Sequence, residues 1–136
     1  MPEYEITAAV EEFLASQRNL ILATVRRDGT PQLSPVWYVW RDDAFFSSTV
    51  TSTAKWKNLV RDPRCSGIID HPEGQYVYVS GTAELDDGDV YDTTLDIVRR
   101  YKTKDEIEAY MESIYEEGHR TIIRLAPTGL VHRNFA

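Results

Sequence analysis

The sequence predicts a mainly β chain of the α+β kind, a six-stranded antiparallel barrel with peripheral helices. Three observations predict it. The strand-like runs Leu20 to Val25, Gln32 to Trp40 and Phe45 to Ser48 follow one another through short turns, with no helix between them. Tyr76 to Leu85 (YVYVSGTAEL) alternates apolar and polar positions along its length. Helical periodicity is confined to the start, to one central segment, and to a later stretch beginning at Asp86. The same order argues against a doubly wound parallel sheet, which needs a crossover between successive strands.

Ile6, Val10, Phe13 and Leu14 recur at one-turn spacing and predict an amphipathic first helix, ended by Asn19. Arg27-Asp28-Gly29-Thr30 supplies the first hairpin turn, since Asp-Gly accepts positive φ. The second strand is interrupted by Pro35, and Asp42-Asp43 turns the chain into the third. The central helix places Trp56, Leu59 and Val60 on one side. It ends at Asp62-Pro63, because proline disfavours helical geometry in the residue before it. Cys65 to Ile69 is a fourth strand, followed by a turn at His71-Pro72-Glu73-Gly74. In the fifth, Val77, Val79, Ala83 and Leu85 face one way, and Tyr76, Tyr78, Thr82 and Glu84 the other. Asp86 to Tyr101 reads as helix. The next helix opens with the capping box Thr103-Lys104-Asp105-Glu106 and is buried through Ile107, Tyr110, Met111, Ile114 and Tyr115. Gly118 stops it. Thr121 to Leu125 closes the sheet, and Leu130 to His132 extends it past Pro127.

The 136 residues fit one domain, 1–136, large enough for a real core. With 22 acids against 15 bases and a formal charge of −7, a general affinity for nucleic acid or an anionic membrane is not expected. Cys65 is the single cysteine, so no intrachain disulfide is possible and a reducing compartment is the simpler reading. No apolar run approaches membrane-spanning length, and the start is acidic and amphipathic, unlike a secretory signal. The expectation is a cytoplasmic protein.

Against that acidic background, Ala44 to Arg61 holds no acid at all. A helix start carries partial positive charge and unpaired N–H groups, so it normally attracts Asp or Glu. Lys55 and Lys57 stand there instead, preceded by the hydroxyls of Ser48, Thr49, Thr51, Ser52 and Thr53. A bound phosphate would resolve the conflict. The plainer alternative is a pair of snorkelling lysines flanking the Trp56, Leu59 and Val60 stripe, with Ser52 or Thr53 as the helix cap. Arg61 and Arg64, near the far end, suit the helix dipole. Trp37, Tyr38 and Trp40 present large apolar area on both faces of their strand, one filling the barrel and the other available to a dimer interface. His71, His119 and His132 share no ligand spacing, so no metal site is expected. Cys65 lies mid-strand, placed for burial rather than nucleophilic work. No nucleophile elbow, dinucleotide fingerprint or phosphate-binding loop ending Gly-Lys-Ser/Thr is present.

The run LATVRRDGTPQLSPVWYVW, then FFSSTV, then AKWKNLVRDPR, then VYVSGTAEL, resembles the pyridoxamine-phosphate-oxidase-like split barrels over about the first two-thirds of the chain. The flavin/deazaflavin oxidoreductase branch, whose members often use the deazaflavin F420, is the more similar. The resemblance implies a split barrel that forms a homodimer with cofactor sites at the subunit interface. Lys55 matches the family's phosphate-binding lysine, and Lys57 a position often held by arginine. Ser48, Thr49, Thr51, Ser52 and Thr53 would surround the phosphate, and Pro35, Val36 and Trp37 match the strand beside the ring system. Thr53 replaces an arginine found in some deazaflavin binders. The ending LVHRNFA lacks the arginine- and tryptophan-rich C-terminus of true pyridoxamine phosphate oxidases, so that activity is not expected. The implied function is an F420- or FMN-dependent oxidoreductase acting on a small organic substrate, with F420 ahead. A carrier for flavin, haem or a tetrapyrrole is the alternative. No catalytic acid or base stands out.

Overall fold

A computed structural model describes residues 4–135, so the outermost positions of the expected domain lie outside the described residues. In chain order the elements are α1 (Ala8–Ser16), β1 (Leu20–Val25), β2 (Pro31–Val36), β3 (Val39–Arg41), β4 (Ala44–Val50), α2 (Ala54–Arg61), β5 (Arg64–Asp70), β6 (Tyr76–Asp86), α3 (Val90–Val98), α4 (Ile107–Tyr115), β7 (Arg120–Leu125) and β8 (Gly129–Arg133). The strands pair antiparallel in the order β2-β1-β5-β6-β7-β4-β3, with β8 added beside β6. The two ends of this order, β2 and β3, are consecutive in the chain. The sheet therefore curls until its ends meet at the Trp37–Tyr38 corner, giving a split barrel with four helices.

Eight strands stand where six were expected, for two physical reasons. The run Gln32 to Trp40 is divided, and Pro35 is not what divides it. Pro35 sits inside β2, an edge strand, where a missing N–H is tolerated. The break falls at Trp37–Tyr38, where the chain leaves β1 and joins β4. There the Tyr38 N–H donates to the Tyr101 hydroxyl at 3.0 Å, and the Arg100 guanidinium donates to the Tyr38 carbonyl. At the other end, β8 does not extend β7. It pairs with the first half of β6 (Tyr78 opposite Val131), whereas β7 pairs with the second half (Leu85 opposite Ile123). The connecting backbone hugs Gly81, where an added Cβ would lie 3.1 Å from the Ala126 carbonyl oxygen and 3.3 Å from the Thr128 nitrogen. Gly81 thus marks the bend at which β6 passes from one half of the barrel to the other.

Tyr38, Phe45, Leu20, Leu22, Ile69, Val77, Val79, Ile123 and Leu125 fill the interior, joined by Val10, Phe13 and Leu14 of α1. The buried face of α2 is not the expected stripe. Asn58 and Leu59 are buried, Trp56 is half-buried, and Val60 is 57% exposed. Asn58 can be buried because its Nδ2 donates to Thr24 Oγ1 at 3.1 Å, tying α2 to β1. Arg61 donates to the Val25 carbonyl and Arg64 pairs with Asp62, so both act structurally.

The expected helix from Asp86 to Tyr101 shortens to α3. In the capping box the Glu106 carboxylate reaches the Thr103 N–H at 2.9 Å, but it also takes the Thr103 hydroxyl, so regular helix begins only at Ile107. α3 and α4 share their own small cluster of Val98, Met111 and Ile114. Tyr115, expected inside, is 37% exposed. Arg41 ties this unit to the barrel through Asp96 at 2.6 Å and Thr93 at 3.0 Å. Among the described residues no helix is long and apolar enough to cross a membrane.

Candidate cofactor site

A cleft of about 240 Å³ opens between the barrel and the α3–α4 unit. Its apolar wall comes from Pro35, Val36 and Trp37 at the end of β2, Ile97 and Val98 of α3, and Tyr110 and Ile114 of α4. Its polar floor is Ser47 and Ser48 of β4, Lys55 of α2, Thr94 of α3 and Arg120 of β7. Among the described residues no histidine, cysteine or methionine lines it.

Each floor residue arrives by a different route. Thr53 caps α2, its hydroxyl accepting from the Trp56 N–H and donating to the Val50 carbonyl. That cap starts the helix two residues before Lys55, and the first turn contains no acid. Register brings Arg120 beside β4, with Arg120 opposite Val50 and Ile122 opposite Ser48. Arg120 Nε donates to Ser48 Oγ at 3.1 Å, and one terminal nitrogen donates to the Ile114 carbonyl at 2.9 Å. Its carboxylate partner, Glu117, stands at 3.6 Å and is mostly exposed.

Lys55 has no hydrogen-bond or carboxylate partner among the described residues. Burial pushes its ammonium below the ordinary lysine range, and the neighbouring Arg120 charge pushes the same way. The floor therefore concentrates donors and positive charge in a partly desolvated place, which suits an anionic oxygen-rich group. Burial, followed by the Glu117 charge, raises the Tyr110 phenol, leaving it a neutral group at the wall. Trp37 stacks on Tyr101 with ring centroids 4.4 Å apart and on Tyr110 at 5.5 Å.

Of the residues singled out in the sequence, the cleft gathers Pro35, Val36, Trp37, Ser48 and Lys55. It does not gather the others. Thr49 is buried with its hydroxyl 3.1 Å from that of Thr53, so both are engaged within the protein. Thr51 lines a separate pocket with Trp56 and His119, and Ser52 is exposed. Lys57 is exposed and outside the cleft, being about 200° around the helix from Lys55. Sequence reasoning missed Arg120 and Thr94. Cys65 is buried, which pushes its thiol up to about 11 and keeps it unreactive.

Solved structures share this architecture. A protein described as an F420 reductase superposes with a TM-score of 0.76 at 24% identity, covering 93% of this chain and 98% of its own. A conserved hypothetical protein from Mycobacterium tuberculosis gives 0.76 at 22% identity, over 95% of this chain and 84% of its own. HutZ, the haem storage protein of Vibrio cholerae, gives 0.71 at 18% identity, over 94% of both. At these identities the likeness is one of fold. The pyridoxamine 5'-phosphate oxidase family model matches residues 6–133, nearly the whole chain, and the chain belongs to that family.

Proposed function

We propose that this protein is an oxidoreductase that holds the phosphate of a flavin-type cofactor, F420 ahead of FMN, on Lys55, Ser48 and Arg120. The observation that carries the reading is the floor, where two cations, Lys55 and Arg120, stand among hydroxyls and no carboxylate is present among the described lining residues. When bound, the cofactor would supply hydride chemistry toward a small organic substrate. The chain's own work is binding and orientation. Lys55 and Arg120 neutralise the anion, and the wall of Pro35, Val36 and Trp37 keeps water from its apolar neighbour. The likeness to an F420 reductase supports the deazaflavin over FMN.

The cleft is smaller than the roughly 300–1,000 Å³ of pockets that enclose a drug-sized ligand, so it suits the anionic end of a cofactor. A second copy of the chain would complete the rest. Pro35, Ile21, Ile68, Tyr78 and Val131 lie in one register across five strands on the outer face of the sheet. Leu33, two residues from Pro35 on the same face, is 63% exposed. Exposed apolar rows of this kind mark interfaces, and this one begins at a cleft residue. Tyr78→Arg is expected to convert a homodimer to monomer, read by sedimentation velocity. An unchanged sedimentation coefficient, dimeric or monomeric, counts against this face. We place the protein in the cytoplasm.

The likeness to a haem storage protein supports a second reading, a non-catalytic carrier. Among the described residues the cleft is lined by no histidine, cysteine or methionine, the usual axial ligands of haem, and this supports the flavin reading. Parallel titrations with FMN, F420 and haem test the choice. Saturable binding of F420 or FMN is expected, followed by turnover with an enone, quinone or dye. Haem binding alone, with an intense near-blue band, overturns the oxidoreductase reading.

A further inference from the structure

We propose that Thr94 is a positioning residue that makes Ser48 a dedicated hydrogen-bond donor, so that the cleft selects phosphorylated cofactors over their phosphate-free counterparts. The inference rests on the anion-site reading above and adds the residue that sets its selectivity.

Thr94 is 1% exposed, and its hydroxyl donates to Ser48 Oγ at 2.7 Å. Arg120 Nε donates to the same oxygen at 3.1 Å. A serine hydroxyl oxygen has two lone pairs and one proton. Both lone pairs are thus occupied from within the protein, and among the described residues nothing accepts the remaining Ser48 proton. Ser48 lines the cleft beside Lys55 and Arg120, which are donors only. These three groups therefore require an acceptor, and Ser48, which would otherwise accept as well as donate, cannot answer a ligand that offers its own O–H or N–H.

A phosphate ester meets this demand with its unesterified oxygens. A primary alcohol, as in the phosphate-free cofactor, brings one oxygen that also carries a proton, and that proton finds no acceptor on Ser48 while Thr94 is in place. Removing the Thr94 hydroxyl frees one Ser48 lone pair. The Ser48 rotor is then able to accept as well as donate, and the preference for acceptor-only ligands relaxes. Thr94 also lines the cleft, but its hydroxyl proton is spent on Ser48, and the effect proposed for it runs through Ser48.

The test compares two ligand pairs, FMN with riboflavin and F420 with its phosphate-free deazaflavin precursor, by dissociation constant in the full chain. In the parent protein the phosphorylated member is expected to bind at least tenfold more tightly. In Thr94→Val that ratio is expected to fall by threefold or more, with the phosphate-free member binding as well as before. Thr94→Ser, which keeps the hydroxyl, is expected to retain the parent ratio. Thr94→Ala serves as a second variant should valine disturb the packing, since the readout is a ratio that a general loosening moves equally in both members. An unchanged ratio in Thr94→Val and Thr94→Ala overturns the role of Thr94 while leaving the anion site standing. A parent protein that binds both members of each pair equally overturns the anion site and this proposal together.

Discussion

Lys55→Ala is expected to weaken binding of F420 or FMN at least tenfold, worth about 1.4 kcal/mol, while the free protein melts no lower than its parent. The two halves of this result have one cause. In the free protein Lys55 is partly desolvated beside Arg120, with no carboxylate to offset either cost, so its charged form is disfavoured. Deleting it removes a strained charge from the fold and the ammonium proposed to hold the phosphate, as expected where activity is retained at the expense of stability. Titration fixes the sign with pH. The folded-state value lies below the ordinary lysine value of 10.5, so the unfavourable charge is fully present at neutral pH and is relieved as pH rises through that lowered value. Anion affinity runs the other way, because only the ammonium attracts the phosphate. It is expected to decline on the alkaline side earlier than an unperturbed lysine would allow. Isothermal titration of parent, Lys55→Ala and Lys55→Arg across that range measures the affinity trend, and thermal unfolding of the free proteins over the same range measures the stability trend. Equal affinity for parent and alanine variant would remove Lys55 from the site.

The same residues show what the sequence could and could not reveal. The placing of Lys55 in the cleft was legible because the anomaly is local: an acid-free run, a hydroxyl cap and a helix start all lie within a few residues of one another. Lys57 shared every one of those local signals, yet it lies outside the cleft. What separates them is the buried face of α2, which is set by Asn58 and its bond to Thr24 rather than by the apolar residues alone. A polar residue buried through a tertiary hydrogen bond shifts the face without altering the hydrophobic pattern. Arg120 and Thr94 were hidden for a different reason. They reach Ser48 across the β4–β7 pairing and the docking of α3, at sequence separations of 72 and 46. The available signal was an arginine opening an otherwise apolar closing strand. Without the register, that residue could have faced either way.

Strand count failed on similar grounds. The alternation of β6 predicted its faces, but not that its two halves take different partners, β8 and β7. Likewise, Pro35 looked like the interruption because proline is the obvious breaker, whereas the division falls two residues later. Contacts from the α3 end, rather than local propensity, hold that corner. This observation leads to the second large effect.

Arg100→Ala is expected to lower the stability of the fold by about 3 kcal/mol, seen as a fall of roughly 10 °C in the unfolding midpoint. The guanidinium is shared among distant pieces of chain. It donates to the Tyr38 carbonyl at the barrel corner, and to the Ala15 and Gln17 carbonyls at the end of α1 at 2.9 and 2.5 Å. It also donates to the Tyr101 hydroxyl at 3.1 Å and lies 4.6 Å from the Tyr38 ring centroid. Hydrogen bonds to a charged donor are each worth more than neutral ones. Their removal together leaves carbonyls at the α1 end and the corner short of a donor. Arg100→Lys retains the charge but not the planar fork, so one ammonium cannot span all three carbonyls, and an intermediate loss is expected. The effect should reach the cleft as well, since Tyr101 stacks directly on Trp37 of its wall. Weaker cofactor binding in Arg100→Ala, at a temperature where the variant is still folded, would show that the corner is held for the site as much as for the barrel. A midpoint within a degree of the parent would mean that water replaces the guanidinium at no cost, and that α1, the corner and α3 are held together by packing alone.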